Sequence, residues 1–435
     1  MQFTSTRNND LSVKFSQAVK SCMPQDGGVY VPSSIEDLRR WIYYIDEKTT
    51  FTSIAGTITS ALINDEFSPI ICESIATQAF PFKPEVKQLD EKLFMMDLYT
   101  GYTGCHRDFG VSYLCSYLEK TLQLQGGQAL ILDYTDGELG SLLARVLKNK
   151  KHIKAVLVYQ KGRVTGLSES DLFWNGGNIY PVEMQGSEDY IKEQISAIFK
   201  EDDFVKKHAI TVSNTTNVCR LLGQIFFFPY SFAQIKNKVD SDIYYALDSG
   251  NYATLMAGLY SWRFALPVSG FFVPSTSSLC ADINGSPVML DEYTQNKQDD
   301  FATPINPANL ERLKSFFNQN QLMMRNFVYP VNVNDKQREL AAKELYTKYK
   351  VFADPETARA YAAIREKADS VYADEGSIVL MAYNHPSLSA DYCRHVTGRT
   401  PDMPENIREA IKPFKMTEPV ISGAEELKKI IQKIK

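Results

Sequence analysis

Three short segments of this 435-residue chain put chemically capable side chains where a loop opens into a helix. Asn214-Thr215-Thr216-Asn217-Val218-Cys219-Arg220 gathers amides, hydroxyls and a guanidinium ahead of an apolar helix. Asp136-Gly137-Glu138-Leu139-Gly140 and Ser249-Gly250-Asn251-Tyr252-Ala253 each follow an apolar, strand-like run. Backbone N–H groups at helix N-termini attract anions, and glycine lets a ligand come close. Asn217 and Arg220 are one helical turn apart, so both could face one anion. Lys161 and Arg163, on a loop after a strand, would add positive charge. The chemistry suggested is small-anion binding. Each loop taken singly also reads as a capped helix behind a tight turn, and Arg220 reads equally as the partner of a neighbouring acid.

The elements that must position these loops alternate from about residue 90 onward. Apolar strand runs at Leu93–Tyr99, Ala129–Leu132, Ala155–Tyr159, Ile179–Met184 and Ile243–Leu247 are interleaved with helical patterns at Val111–Leu122, Leu139–Leu147 and Leu255–Phe264. Strand, glycine-bearing loop and helix in repetition define an α/β sheet with ligands at the carboxyl ends of its strands. Helices are expected at Leu310–Gln319, Lys336–Lys348, Pro355–Lys367 and Glu425–Lys435, with a further strand at Ile378–Ala382. The first 85 residues read as a mainly helical unit, with Phe15, Val19 and Met23 at helical spacing and a turn at Asp26-Gly27-Gly28 into a short strand-like Val29–Pro32. The polar, Pro-bearing stretch Ser275–Pro307 reads as a long loop or insertion.

Composition narrows the function. Forty-four per cent hydrophobic and 23% charged residues describe an ordinary globular chain. Fifty-two acidic against 47 basic residues give a net charge of −5, which argues against a nucleic-acid surface. No run of 18 apolar residues occurs, so a membrane span is not expected. The seven cysteines are scattered without metal spacing, as free thiols in a reducing cytoplasm would be, and no metal site is expected. Cys105, Cys115, His106 and His385 lack the partners a nucleophile or base needs.

The ordered motifs resemble those of threonine synthase, a pyridoxal-phosphate (PLP) enzyme of fold type II. The matching pieces are Val13–Val19 with Asp26–Pro32, Leu98–Thr103 with Arg107-Asp108-Phe109-Gly110, Asn175–Ile179, Asn214–Leu222, Ser249-Gly250-Asn251, Asp354-Pro355 with Thr357, and His385-Pro386. The resemblance implies a tryptophan synthase β-like core of two three-layer α/β lobes (86–435, with the insertion at about 275–307) behind an N-terminal domain (1–85). It implies conversion of O-phospho-L-homoserine and water to threonine and phosphate. Ser249, Gly250, Asn251, Tyr252 and Tyr383 would fall at the cofactor, and Asp136, Gly137, Asn214, Thr215, Asn217, Arg220 and Lys161 at the substrate anion.

The departures from the family pattern fall where its chemistry lies. Arg107 stands in place of the lysine of Lys-Asp-Phe-Gly. A Schiff base needs a neutral primary amine, and a guanidinium stays protonated. Asp136 replaces the first serine of Ser-Gly-Asp-Thr-Gly, Ala253 the last glycine of Ser-Gly-Asn-Phe-Gly, Tyr383 the threonine of Gly-Thr-Ala-His-Pro, and Glu356 the histidine of Asp-Pro-His-Thr. Arg107 and Asp136 are expected to offset one another, because an unpaired buried ion is costly. The expectation is a threonine synthase-like protein without covalent PLP, binding a small phosphorylated or amino-acid ligand as a monomer or homodimer. The alternatives are an active threonine synthase or related lyase, and a non-catalytic platform presenting the 275–307 loop, with Leu290 and Tyr293, to a partner.

Overall fold

A computed structural model describes residues 1–63, 65–174, 177–239, 242–289, 304–305, 307, 309–318, 320–373 and 376–434. Two parallel sheets dominate. The larger has six strands in the order Val328–Val331, Gly270–Pro274, Ile243–Ala246, Ser377–Ala382, Leu93–Asp97 and Glu85–Gln88, of which only the last is antiparallel to its neighbour. The smaller is fully parallel, in the order Ile179–Met184, Ile153–Gln160, Ala129–Thr135 and Ile210–Thr211. Helices cover both, so the central strands are buried on two faces and consist of near-continuous apolar runs. Leu93-Phe94-Met95-Met96 and Ser377–Ala382 are buried at every position.

In the N-terminal region the strand expected at Val29–Pro32 forms as Tyr30–Pro32, and two further strands, not expected from the sequence, join it. Gln2–Ser5 pairs antiparallel with both Val13–Lys14 and Tyr30–Pro32, and this small sheet sits beside helices Phe15–Ser21, Arg39–Tyr44, Phe51–Ile63 and Pro69–Ala79. Its core is continuous with that of the rest of the chain. The Phe51 ring packs 5.0 Å from Phe80, 5.5 Å from Phe109 and 5.3 Å from Tyr230.

Besides the short outer strands Glu85–Gln88 and Ile210–Thr211, two strands, Gly270–Pro274 and Val328–Val331, are not expected from the sequence. Both are short and carry a proline, which is tolerated here because Val328–Val331 is an edge strand and Pro274 closes its own. The expected loop after Ser275 begins as a hairpin, Leu279–Ala281 pairing with Pro287–Met289. Leu290 and Tyr293 lie outside the described residues, as do Asn175 and Gly176. Among the described residues no helix is long and apolar enough to cross a membrane.

Candidate functional site

A cavity of about 430 Å³ opens where the carboxyl ends of the two parallel sheets face each other. Asp133, Tyr134 and Asp136 reach it from the strand Ala129–Thr135 and the turn after it, and Ser213, Asn214 and Thr215 from beyond Ile210–Thr211. Asp248, Ser249, Gly250 and Asn251 follow the strand Ile243–Ala246, and Tyr383 follows Ser377–Ala382. Between the sheets, the helix Arg107–Gln125 begins at the cavity wall. Its first turn is fixed by buried Asp108, which accepts from the Thr103 N–H at 2.7 Å and hydroxyl at 2.6 Å.

Arg107 is held by acids. Its Nη2 donates to Glu138 Oε2 at 2.9 Å, Nη1 lies 4.0 Å from Asp136 Oδ1, and Nε donates to Cys105 Sγ at 3.3 Å. The expected pairing therefore forms chiefly with Glu138, which opens the helix Glu138–Val146, while Asp136 stands at the edge of contact. The reason is geometric: Gly137, at φ +132°, turns the chain so that the residue after it points back at Arg107.

Arg220 is the opposite case. It is 3% exposed, and its Nε and Nη1 have no hydrogen-bond partner among the described residues. Burial pulls its guanidinium down to about 10, still fully charged at neutral pH. Gly110 is required by this packing, since a Cβ there would lie 2.0 Å from Arg220 Nη1. Asp133, also buried, accepts from the Ser213 N–H at 2.6 Å and hydroxyl at 2.5 Å, and burial pushes it up to about 6. Burial, reinforced by Arg220 and Arg107, pushes the His106 imidazole well below its usual value, and its ring stands edge-on to Tyr383 at 4.9 Å.

Of the residues singled out in the sequence, Arg107, Asp136, Asn214, Thr215, Arg220, Ser249, Gly250, Asn251 and Tyr383 line the cavity. Asn217 does not share an anion with Arg220. Its side chain caps the helix Val218–Leu222 by accepting from the Cys219 N–H at 3.1 Å, and donates to the Val19 carbonyl at 3.0 Å. Lys161 is exposed, and Gly137 donates to Thr135 Oγ1 at 3.0 Å. The Tyr252 hydroxyl is turned to Thr276. Asn214 and Thr215 are engaged by protein groups: Asn214 Nδ2 donates to the Pro304 carbonyl at 2.8 Å, and Thr215 Oγ1 accepts from Asn251 at 3.1 Å and Asn309 at 2.9 Å.

The sequence reading passed over Asp133, Asp248 and Lys192. The first two carried a signal, a lone carboxylate within or just after an apolar strand, where a charge must have a reason to be buried. Lys192, on the helix Glu188–Phe199, carried none.

The fold and this cleft define a class: a fold-type II pyridoxal-phosphate protein with its site between two α/β lobes. A family model described as "Pyridoxal-phosphate dependent enzyme" matches residues 75–383, and one described as "Threonine synthase N terminus" matches residues 2–80. The chain is 24% identical over 421 residues to threonine synthase of Escherichia coli, covering 94% of each. Its structure is similar to that of crystalline E. coli threonine synthase (TM-score 0.79, 22% identity, 100% of both chains). It is also similar to PLP-bound threonine synthase of Brucella melitensis (TM-score 0.80, 16% identity, 99% of both). The chain belongs to the threonine synthase family of pyridoxal-phosphate dependent enzymes.

The residues present fit a covalently held PLP poorly. Among the described residues lining the cavity the one lysine is Lys192, whose Nζ lies 2.5 Å from Glu188 Oε1. The loop that would cradle the cofactor phosphate is preceded by buried Asp248, whose carboxylate repels an anion. The N–H of Ala253, at the start of the helix Ala253–Arg263, already donates to Asn251 Oδ1 at 3.2 Å.

Proposed function

We propose that this chain keeps the threonine synthase scaffold without its Schiff-base chemistry and uses the cleft to bind a small phosphorylated or amino-acid ligand. The observation that carries this reading is the Arg107–Glu138 ion pair at 2.9 Å, at the position where the family resemblance places the reactive lysine. A guanidinium between two carboxylates and a thiol does not lose its proton at neutral pH, and without a neutral amine there is no nucleophile for the cofactor aldehyde. The chain's own residues act in binding. Arg220 supplies an uncommitted buried cation for the ligand's anionic group, while Asn214 and Thr215 shape the wall beside it. The partner is a small molecule, not a nucleic acid or a membrane, and the chain works as a monomer or homodimer.

The test is to incubate the purified chain with PLP, record the absorbance of the Schiff base, reduce with borohydride and map the labelled peptides. No stoichiometric label in the cleft is expected. A yellow protein reduced onto Lys192, or threonine formed from O-phospho-L-homoserine, overturns the reading in favour of a working lyase.

A further inference from the structure

The side chains facing the cleft do not cancel in charge. Asp133, Asp136, Glu188, Asp248 and Glu356 line it against Arg107, Arg220 and Lys192. Lys192 is taken by Glu188, Arg107 by Glu138 with Asp136 beside it, and Asp133 is satisfied by Ser213. What stays without a hydrogen-bonded counter-charge among the described residues is Arg220 from the smaller-sheet lobe, and Asp248 and Glu356 from the larger-sheet lobe, Asp248 having only Arg359 at 3.8 Å.

Asp248 is 9% exposed. Its Oδ2 accepts from the Gly250 N–H at 3.0 Å, whereas its Oδ1 has no hydrogen-bond partner among the described residues and lies 3.8 Å from Nη1 of half-exposed Arg359. Tyr383, 4% exposed, has a hydroxyl that makes no close hydrogen bond among the described residues, with the Thr254 hydroxyl and the Asp248 backbone beside it. Glu356 accepts from Asn384 Nδ2 through Oε2 and also shares a hydrogen bond with the buried carboxyl of Asp354. Buried polar atoms are nearly always paired, so unpaired ones in a cavity wall indicate what should sit there. A protonated primary amine carries three donors, and the wall offers three oxygen-bearing groups. An anion here would meet two carboxylates, and a neutral polar ligand would leave them with only half-exposed Arg359, at 3.8 Å from Asp248, as counter-charge.

We propose that Asp248, Glu356 and Tyr383 form a subsite for the ammonium group of a zwitterionic ligand whose anionic group lies on Arg220. This rests on the absence of a tethered cofactor, which would fill the same space. It narrows the ligand to a class, small molecules carrying both a free amine and a phosphate or carboxylate.

Isothermal titration calorimetry of the intact chain with inorganic phosphate, ethylammonium and phosphoethanolamine tests this. Phosphoethanolamine should bind about ten-fold or more tightly than phosphate. Asp248→Asn should reduce it to the affinity of phosphate, leaving phosphate binding intact, and Glu356→Gln should act in the same direction. Two variants guard against one failing to fold, which thermal melting checks. The proposal is overturned if phosphoethanolamine binds no better than phosphate, if its advantage survives both substitutions, or if no probe binds. Failure of the underlying reading shows separately, as borohydride-fixed PLP in the cleft.

Discussion

Replacing Arg107 by lysine separates two obstacles to cofactor capture: the wrong functional group and the wrong electrostatic surroundings. A lysine with an ordinary pKa near 10.4 is neutral to about one part in 1,000 at pH 7.4. In this chain it would stand where Glu138 Oε2 is 2.9 Å and Asp136 Oδ1 4.0 Å from the present guanidinium. Opposite charges at such range move a pKa by roughly 1–3 units toward the charged form. The Arg107 side chain is 40% exposed, so solvent screening puts the effect at the low end, about one unit or 1.4 kcal/mol. Arg107→Lys alone should therefore react slowly with PLP. Arg107→Lys with Glu138→Gln, which removes the nearer carboxylate, should react about ten-fold faster at pH 7.4. The assay is the rate of Schiff-base absorbance under excess PLP, with borohydride reduction to place it at residue 107. Because the neutral amine increases ten-fold per pH unit below its pKa, the gap between the variants should close as pH rises past that pKa. Equal rates for the single and double variants at pH 7.4 would show that Glu138 does not control this position.

Further outcomes follow from the burial of single groups. Arg312 is fully buried, has no carboxylate within ion-pair distance among the described residues, and donates to the Tyr30, Thr215 and Thr216 carbonyls and to Asn309 Oδ1, at 3.1, 2.6, 2.7 and 2.6 Å. Arg312→Ala orphans all four acceptors and should cost about 3–5 kcal/mol in urea unfolding; a loss under about 1 kcal/mol would contradict the assigned role. Tyr383→Phe removes a buried hydroxyl that makes no close hydrogen bond among the described residues, so without ligand it should leave the melting temperature unchanged or raise it, by no more than about 1 kcal/mol in stability. Burial pushes Asp248 up to about 6, above the roughly 3.9 of an unfolded aspartate. The folded state then binds that proton more tightly, so stability falls as pH rises from about 4 to about 6, and the cost persists above it. Asp248→Asn should flatten this stretch of the stability profile and raise the unfolding free energy at pH 7.5, by about 3 kcal/mol at most; a lower value would refute the assignment.

The sequence by itself determined the alternation of strands and helices and the family, because buried parallel strands are written as continuous apolar runs and each loop between them keeps its own turn chemistry. Ala129–Thr135, Ile153–Gln160 and Ile179–Met184 were legible for that reason. So was the departure at Arg107, since the identity of a functional group does not depend on its surroundings. Tertiary structure decided which neighbours each group meets. Asn217 and Arg220 have helical spacing, yet one caps a helix and the other faces a cavity, because the Val19 carbonyl lies beside the first. Glu138 and not Asp136 became the close partner of Arg107 through the turn at Gly137. Asp248, Glu356 and Tyr383, far apart in the chain, share one wall because the strands Ile243–Ala246 and Ser377–Ala382 are adjacent and the helix Pro355–Ala373 begins above them. Charge and hydrogen bonding act over a few ångströms, so their consequences are fixed only where the fold sets those distances.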